Sequence, residues 1–324
     1  MAPLPLSSGY RLLRCPICRL DLTAAAGALA CRNRHSFDFA REGYVNLLRV
    51  PRRLPSAGGD NSEQLQYREA FLQRGHFDAV AATIATWVTQ TGAALAAGCW
   101  RVVDAGSGTG YHLGRIAAML DAQVVGLGLD IAREAARRAA RRWPKHAFAV
   151  ADLWEEWPVE SAVADLVLSI FAPKNFAETA RVLAPGGWLA MVYPGPNHLV
   201  ELNDFFGLMR QHQGKGRHYA DAVRRYIGLP TIAQLTHHTV LQGDGIRDAL
   251  LMGPNARHLS RSTPEAVTGP LPATFDLFVL LSRKRITVPA KKRARSRKGA
   301  VPLLGDFKDG KREWVEQPAS TLVS

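Results

Sequence analysis

Short apolar runs alternate with amphipathic stretches through the middle of the chain. The run at 100–104 leads into a glycine-rich loop, and apolar residues then recur at helical spacing from 113 to 120. A second run at 124–130 is followed by another helical pattern at 132–142. Further runs of strand length cover 147–150, 164–170, 188–193, the neighbourhood of Thr239, and 274–281. This alternation is typical of a parallel sheet with helices on both faces, so we predict an α/β fold with a doubly wound, Rossmann-like sheet.

Two further helical patterns precede this sheet. One covers 61–72, a break follows at Gly75, and the second covers 80–88. Before them, residues 51–59 contain two prolines and two glycines among basic residues, which is typical of a loop. The pattern therefore predicts a small first module, at 10–48, joined by a linker to the sheet.

The composition suits a globular protein. With 324 residues and 47% hydrophobic content, the chain can bury the core of an ordinary enzyme domain and still carry a small module. Its start lacks a charged segment followed by an apolar run, and no uncharged apolar stretch is long enough to span a membrane. We therefore expect a cytoplasmic protein with reduced thiols and no membrane partner.

The net charge of +13 is concentrated near the end of the sequence. Residues 283–298 hold nine Lys or Arg and no acidic residue. Mutual repulsion and the lack of apolar periodicity predict that residues 284–324 form a basic, disordered tail. Such a tail either only aids solubility or adds salt-sensitive affinity for nucleic acid by neutralising phosphates. The sequence leaves both interpretations open.

Four residues near the amino end have the spacing of a zinc site. They are Cys15, Cys18, Cys31 and His35, and they form the pattern C-x2-C-x12-C-x3-H. Thiolates and an imidazole at this spacing can surround one Zn²⁺ tetrahedrally, and so short a module cannot build a core alone. Because protein supplies all four ligands, the site is predicted to be structural; the alternative is a chance spacing without metal. Cys99 stands apart and is expected to be an ordinary small buried residue.

The glycine-rich loop after the first predicted strand indicates a nucleotide cofactor. Gly106, Gly108 and Gly110 let the backbone turn sharply and let a ligand approach it closely. The spacing departs from the dinucleotide fingerprint, because Tyr111 stands where that pattern has its third glycine. Similar glycine runs also occur in ordinary turns, so the loop alone does not identify the cofactor.

Acidic residues beside the loop favour S-adenosylmethionine. Asp104 directly precedes the loop, where a carboxylate can meet the ammonium group of this cofactor. Asp130 follows Gly110 by twenty residues, where it can accept hydrogen bonds from both ribose hydroxyls. Asp152 would then lie by the adenine. The alternative for Asp104 and Asp130 is a helix cap or a surface charge.

A Pro-Gly-Gly segment strengthens this interpretation. Residues 180–189 are predicted to end a helix at the Pro-Gly-Gly turn, 185–187, and to lead directly into a strand. The turn resembles the corresponding one of class I S-adenosylmethionine-dependent methyltransferases. Together with the loop and the acids, it favours a methyltransferase over a dehydrogenase.

The whole combination resembles bacterial 23S rRNA guanine-N1 methyltransferases of the RlmA type, over residues 12–283. The matching stretches are the four predicted zinc ligands, the cofactor loop, Phe37-Asp38, Arg41 to Leu48, Gly59-Asp60-Asn61, Phe71-Leu72, Gly75-His76-Phe77, Phe171-Ala172-Pro173 and Pro194 to Leu199. The resemblance implies a zinc-binding module that helps bind an RNA hairpin near the peptide exit tunnel, followed by a class I methyltransferase domain. It implies 23S rRNA or a precursor of the large ribosomal subunit as the partner, and leaves a homodimer open.

Residue by residue, the resemblance implies Zn²⁺ at the four ligands above and cofactor contacts from Phe77, Gly108, Thr109 and His198. Two positions depart from the commoner family pattern: Phe77 replaces a tyrosine, and Ser107 stands where cysteine is frequent. Neither change should abolish cofactor binding. Ser107 and the high Arg and Ala content resemble the actinobacterial branch, some of whose members protect ribosomes against tylosin-type macrolides.

From these observations we expect five segments. They are a flexible amino terminus (1–9), a zinc-binding RNA-recognition module (10–48), a linker (49–62), a methyltransferase domain (63–283) and the basic tail (284–324).

The implied reaction removes a proton from guanine N1, and the sequence does not identify the base. Asp60, beside a glycine pair, is a candidate, with loop capping an equal alternative. Two other functions remain open. A small-molecule methyltransferase would need neither the zinc module nor the basic tail. An RNA-binding protein without cofactor would not need the intact acids and glycines of the loop.

Overall fold

The computed structural model describes residues 7–25, 27–49, 59–90, 98–120, 122–208, 215–253, 256, 259 and 269–286. These residues belong to one compact unit. Most of the predicted flexible amino terminus and linker, and residues 287–324 of the predicted tail, lie outside the described part of the chain. Among the described residues, no helix is long and apolar enough to cross a membrane.

Helices and strands alternate along most of the chain. In chain order, the elements are a 3-10 helix (Ser8–Leu12), β1 (Thr23–Ala25), β2 (Ala28–Ala30), β3 (Ser36–Asp38), β4 (Val45–Asn46), α1 (Ser62–Gln73), α2 (Asp78–Gln90), β5 (Cys99–Ala105), α3 (Tyr111–Met119), β6 (Gln123–Asp130), α4 (Arg133–Arg142), β7 (Ala147–Val150), β8 (Ala164–Ile170), α5 (Phe176–Val182), β9 (Leu183–Pro194), α6 (Val200–Phe205), α7 (Lys215–Tyr226), β10 (Pro230–Leu241), α8 (Asp244–Leu251) and β11 (Leu271–Arg283).

Eight strands form the main sheet, in the order β10-β11-β9-β8-β5-β6-β7-β4. The strands from β9 to β4 in this order run parallel, whereas β11 runs antiparallel to both β9 and β10. The seven strands predicted from apolar runs correspond to β5 through β11. The predicted α/β sheet is therefore confirmed, with one antiparallel strand inserted near an edge.

Both faces of this sheet are covered, because neighbouring residues of a strand point to opposite sides. Val102 and Leu166 lie in an apolar cluster with residues of α1 to α4, whereas Val103 and Val167 lie in a second cluster with the first module, α5 and α7. Strands buried on both faces explain why the sequence shows continuous apolar runs here rather than alternation.

The first module is built into the same fold. β1, β2 and β3 form a small antiparallel sheet of their own. β4 then joins the edge of the main sheet, where Val45 pairs with Ala149 of β7. Cys15 and Cys31 belong to the same buried cluster as Trp157 of the larger domain.

The Pro-Gly-Gly segment does not stop a helix as predicted. α5 ends before it, and β9 already begins at Leu183, which pairs with Ala164. The pairing then shifts to Trp188 opposite Leu166, and Gly186 lies in the resulting bulge with a φ of 78°. A glycine accepts this left-handed conformation without the steric cost that a β-carbon would add.

The described fold extends past the predicted start of the tail. Lys284 donates from Nζ to the carbonyl oxygens of Ala180 and Leu183, at 2.7 Å each. Arg285 donates from Nη2 to the carbonyl oxygen of Arg224 at 2.6 Å. These two basic residues therefore help to hold the end of β11 against α5, β9 and α7.

Candidate functional site

The four predicted zinc ligands converge in the first module. Their ligand atoms all lie within 4.8 Å of one another. Nδ1 of His35 is 3.5 Å from Sγ of Cys15 and 3.4 Å from Sγ of Cys31, and the sulfur atoms of Cys18 and Cys31 are 3.6 Å apart. Ligand atoms of a tetrahedral zinc site, with Zn–S bonds of about 2.3 Å, are separated by roughly 3.5–3.8 Å. The donor set and its spacing therefore fit one zinc ion.

Two tight turns present these ligands. The backbone nitrogen of Arg19 donates to the carbonyl oxygen of Cys15 at 2.9 Å, and that of Arg34 donates to Cys31 at 2.9 Å. Arg19 and Arg34 have φ values of 63° and 62°. β2 and β3 flank the second turn, so their pairing holds it in place.

The glycine-rich loop joins β5 to α3 with three left-handed glycines. Gly106, Gly108 and Gly110 have φ values of 85°, 53° and 76°. A β-carbon on Gly110 would lie 2.9 Å from Phe148, and one on Gly106 would collide with Ala172, so protein closes both positions. A β-carbon on Gly108 would meet no heavy atom of the described residues within 4 Å. The loop is thus supported at its two ends and open at its centre, where a ligand can approach the backbone.

Asp104 lies near the end of β5, directly before the loop, and one of its carboxylate oxygens has no hydrogen-bond partner among the described residues. Its side chain is 2% exposed, and Oδ2 has no hydrogen-bond partner among the described residues. Burial, and then repulsion from Asp130, raise the pKa of Asp104 to about 7. A buried carboxylate oxygen without a partner is costly unless a ligand completes it. An ammonium group would do so, as the sequence interpretation requires.

Asp130 already holds the loop against the sheet. One of its oxygens accepts from the backbone nitrogen of Gly108 at 2.8 Å, and the other accepts from that of Ala132 at 2.8 Å. Burial raises the pKa of Asp130. These two bonds resemble the capping role that was the alternative for Asp130. Each oxygen retains a second lone pair, so it can still accept from a ribose hydroxyl. That contact remains a prediction.

Asp152 lies in the turn after β7. Its Oδ1 accepts from the backbone nitrogen of Trp154 at 2.9 Å, and this turn leaves Trp154 69% exposed. This contact holds the turn and does not test the predicted contact of Asp152 with adenine, which stays a prediction.

Phe77 and His198 meet in an aromatic cluster at the carboxyl ends of β8 and β9. The ring centroid of Phe77 is 5.5 Å from that of Phe171 and 6.5 Å from that of His198. Phe171 and His198 stack with 6.3 Å between centroids. Phe171 has a φ of 53°, a strained conformation of a kind that concentrates at functional sites. Phe77 is only 2% exposed, so its predicted contact with the cofactor would involve little of its surface.

Two histidines by this cluster have an unsatisfied ring nitrogen. Nδ1 of His198 and Nδ1 of His112 are buried without a partner among the described residues. Burial lowers the pKa of each to about 4, so both rings are neutral at neutral pH. Sequence reasoning missed His112, although its position two residues after the loop was a usable signal. A neutral imidazole can give or accept one hydrogen bond at each nitrogen.

Thr109 lies on the helix side of the loop. It is buried and lines a cavity of about 200 Å³ together with Asp78, Tyr111 and Arg115. Asp78 accepts from the Tyr111 hydroxyl at 2.5 Å and pairs with Arg115 at 2.6 Å. These contacts fasten the start of α2 to the start of α3, above the loop.

Asp60, the candidate base, forms an ion pair with Arg68. Arg68 also donates to the carbonyl oxygen of Met252 at 2.7 Å. The carboxylate of Asp60 is therefore paired with an arginine of α1 that also contacts the end of α8, and a catalytic role for Asp60 remains a prediction.

Lys174 belongs to the segment 171–175, which the sequence places toward the substrate without assigning this lysine a role of its own. It follows β8, where this fold places residues that face the substrate. Its Nζ donates to the carbonyl oxygen and the hydroxyl of Ser169, at 3.2 and 3.1 Å, and burial lowers the pKa of Lys174 to about 7. The sequence could not reveal this, because the burial depends on how the side chain folds back onto β8.

The residues around the loop fit S-adenosylmethionine. They offer an unsatisfied carboxylate at Asp104 for an ammonium group, an open backbone face at Gly108, and a carboxylate at Asp130 for hydroxyl groups. Two neutral histidines add hydrogen-bonding atoms.

Comparison with known proteins gives two family matches. Residues 13–53 match a family model described as the N-terminal zinc ribbon of RlmA, and residues 102–187 match a methyltransferase domain. A 23S rRNA (guanine(748)-N(1))-methyltransferase of Streptomyces fradiae is 38% identical over 248 residues, covering 76% of this chain and 86% of that protein. A putative 23S rRNA (guanine-N(1)-)-methyltransferase of Micromonospora griseorubida is 39% identical over 292 residues, covering 84% of this chain and 97% of that protein.

Proposed function

Because this chain belongs to the family of bacterial 23S rRNA (guanine-N1)-methyltransferases, we propose that it methylates N1 of one guanine in 23S rRNA with S-adenosylmethionine as methyl donor. The observation that carries the proposal is the joint presence of a four-ligand zinc module and the open loop at Gly108 beside the unsatisfied Asp104. Both parts lie in one chain that matches its relatives over most of their length.

The chemistry asks for a deprotonated nitrogen and an electrophilic carbon. Bound S-adenosylmethionine supplies a methyl group on a sulfonium centre, so the N1–carbon bond forms as the carbon–sulfur bond breaks. The N1 proton must leave to a base or to water. Much of the acceleration can come from holding the two reactants in line.

The residues of this chain divide that task. Asp104 would bind the ammonium group with its free oxygen, and Asp130 would hold the loop while accepting from the ribose. Phe171, 44% exposed at the end of β8, offers a ring against which a guanine can stack. N1 lies on the pairing edge of guanine, so the base must be unpaired or flipped before it reaches this ring.

We propose an unpaired nucleotide of an RNA hairpin near the peptide exit tunnel as the target, and macrolide resistance as a consequence. The resemblance to the RlmA type supports the target, and the resemblance to its actinobacterial branch supports the resistance. Expression in a tylosin-sensitive host that lacks the modification should raise the inhibitory concentration of tylosin. An unchanged concentration despite full methylation would indicate a housekeeping role. The cytoplasm is the compartment where this substrate is found, and sedimentation would distinguish a monomer from the homodimer left open above.

The direct test is methylation of 23S rRNA that lacks the modification. The purified protein is incubated with this RNA and S-adenosylmethionine, and the product is mapped by primer extension, since N1-methylguanine blocks pairing and halts the polymerase. We expect one new stop, absent when the methyl donor is omitted and reduced in Asp104→Asn.

The other outcomes separate the remaining functions. No stop, with calorimetry showing that the protein binds S-adenosylmethionine, would point to a small-molecule substrate or an assembly intermediate. No binding of S-adenosylmethionine would leave an RNA-binding protein without cofactor, and the enzyme proposal would fail.

A further inference from the structure

A groove with no role in the site described above lies between the α1–α2 corner and the outer strands of the sheet. Its volume is about 560 Å³. It is lined by Arg74 to His76 and the first turn of α2 on one side, and by residues 234–237 of β10 with Phe275 of β11 on the other. Gly75, with a φ of 81°, makes the sharp corner that turns Arg74 and His76 toward it.

Three aromatic rings form a shelf in this groove. The centroids of His76 and Phe275 are 5.1 Å apart with 14° between planes, and those of His237 and Phe275 are 6.1 Å apart with 19°. The centroids of His76 and His237 are 6.3 Å apart, with 33° between the planes. Phe275 is 1% exposed, so the accessible part of the shelf is made by the two imidazoles. Accessible imidazole rings in an open groove suit the stacking of another flat aromatic group.

The polar groups of the groove favour an anion beside that flat group. Arg74 keeps 39% of its side chain exposed while pairing with Asp248 at 2.8 Å. Gln234 donates to Asp276 at 2.7 Å. Asp248 also lies 3.4 Å from Nη2 of Arg247, so its single negative charge is shared between two guanidinium groups. Burial, then His237 and Arg74, lower the pKa of His76, which keeps its ring neutral and leaves the exposed charge on Arg74.

The groove lies on the reactive edge of the sheet. β11 pairs with β9 up to Pro194 opposite Leu277, and Phe275 lies on the part of β11 that extends beyond this pair. His237 is paired with Phe275 on β10. The ring of Phe275 is in turn 5.9 Å from that of His198. A ligand on the shelf would therefore be separated from His198, a predicted cofactor contact, by one aromatic ring.

We propose that this groove binds a nucleotide of the substrate RNA next to the target guanine, with its base stacked on His76 and His237 and its phosphate near Arg74. The proposal rests on the proposed function and adds a second base-binding site to it. It also gives a physical reason for specificity, since a neighbouring base held in place helps to keep the target guanine out of the RNA stack.

The test compares variants of the full-length protein in binding and methylation of the same unmodified 23S rRNA transcript. We expect His237→Ala, alone and combined with His76→Ala, to raise the KM for RNA about tenfold or more, as loss of a base-stacking ring does. The kcat at saturating RNA and the Kd for S-adenosylmethionine should stay within about twofold of the wild type. His237→Phe, which keeps a ring, should stay close to the wild type. His218→Ala on α7 is the matched control, since it removes another exposed histidine.

The outcomes are distinguishable. If the wild type methylates the RNA and the KM for RNA is unchanged in both alanine variants, the groove does not bind the RNA, and the proposed function still stands. A loss in His237→Phe as large as in His237→Ala would overturn the stacking argument. If the wild type neither binds nor methylates the RNA, both proposals fall. Unchanged binding of S-adenosylmethionine in the variants shows that they are folded.

Discussion

Two neighbouring aspartates differ in what surrounds their oxygen atoms. Both oxygens of Asp130 accept backbone hydrogen bonds, whereas Oδ2 of Asp104 accepts none from the described residues. Asp104 is therefore held in the fold at a cost, and its pKa is raised to about 7. The ionisation of Asp104 should therefore make both stability and cofactor binding depend on pH.

We predict that Asp104→Asn stabilises the protein without cofactor yet weakens cofactor binding. The raised pKa means that the folded protein binds the proton more tightly than the unfolded chain. The contribution of this group to the free energy of unfolding is therefore full below about pH 4 and lost as the pH rises through about 7. At pH 8 the asparagine removes a cost of up to about 4 kcal/mol. Its neutral amide cannot neutralise an ammonium group, so affinity should fall about tenfold or more.

Thermal unfolding at pH 5 and pH 8, with calorimetric titration of S-adenosylmethionine, checks this. The gain in stability should appear at pH 8 and shrink at pH 5, and wild-type affinity should increase between pH 6 and pH 8. Asp221→Asn, at an exposed position of α7, should change neither property. A variant that is less stable than the wild type at pH 8 would show that Asp104 is satisfied without a ligand.

At the scale of the elements, the loop between β5 and α3 shows that identical residues in one motif have different tasks. Gly106 and Gly110 are required by their protein neighbours, whereas Gly108 has free space around it. The first two are therefore needed by the fold. At Gly108, a bound ligand rather than a neighbouring side chain would exclude a larger residue.

We predict that Gly110→Ala mainly lowers stability, whereas Gly108→Ala mainly lowers the affinity for S-adenosylmethionine. Both substitutions place a β-carbon at positive φ, which costs about 1–2 kcal/mol. Gly110→Ala adds a contact of 2.9 Å with both Phe148 and Trp143, and should lose about 1–3 kcal/mol more. Gly108→Ala should lose only the backbone cost but lower the affinity for S-adenosylmethionine at least tenfold, because the β-carbon occupies the space of the ligand.

Urea unfolding gives the two stabilities, and calorimetry gives the affinity. Gly207→Ala is the matched control, since Gly207 has a φ of 62° and, in the described part of the chain, no heavy atom within 4 Å of an added β-carbon. It lies after α6, outside the loop, and should show the backbone cost with normal affinity. Equal affinity in Gly108→Ala and Gly207→Ala would place the cofactor elsewhere.

For the whole molecule, the zinc module is continuous with the larger domain. The isolated bridge from Leu13 to Val159 and the pairing of β4 with β7 join them by backbone contacts. Arg19 pairs with Glu156 at 2.6 Å and donates to the carbonyl oxygen of Trp157 at 3.2 Å. The segment that these contacts hold begins directly after Leu153, whose side chain lies beside the position of Gly106 in the cofactor loop.

We predict that loss of zinc weakens cofactor binding as well as the first module. Cys31→Ser, or chelation of the wild type, should lower the melting temperature and increase hydrogen exchange in β7. It should also reduce the affinity for S-adenosylmethionine, because the segment 153–159 loses its support. Cys99→Ser is the matched control, with zinc content, stability and affinity unchanged. Zinc-free protein that binds S-adenosylmethionine normally would show that the two parts are independent.

Local patterns in the sequence determine much of this molecule. The strands were predictable because residues buried on both faces form continuous apolar runs. The zinc ligands were predictable because a tetrahedral site needs soft donors at fixed short spacings. S-adenosylmethionine and zinc, predicted from these patterns, are the cofactors that the family matches support. In each case the signal lies within about thirty consecutive residues.

Only the tertiary structure decided what depends on residues far apart in the chain. The two-residue strand β4 is too short to leave a periodic signal, and it forms because β7 offers an edge about one hundred residues later. The raised pKa of Asp104, the burial of Phe77 and the fold-back of Lys174 follow from packing across several elements. The shelf of His76, His237 and Phe275 exists only because strand register and the corner at Gly75 bring three distant rings together. Residue type and spacing determine local chemistry, whereas burial and convergence are properties of the packed chain.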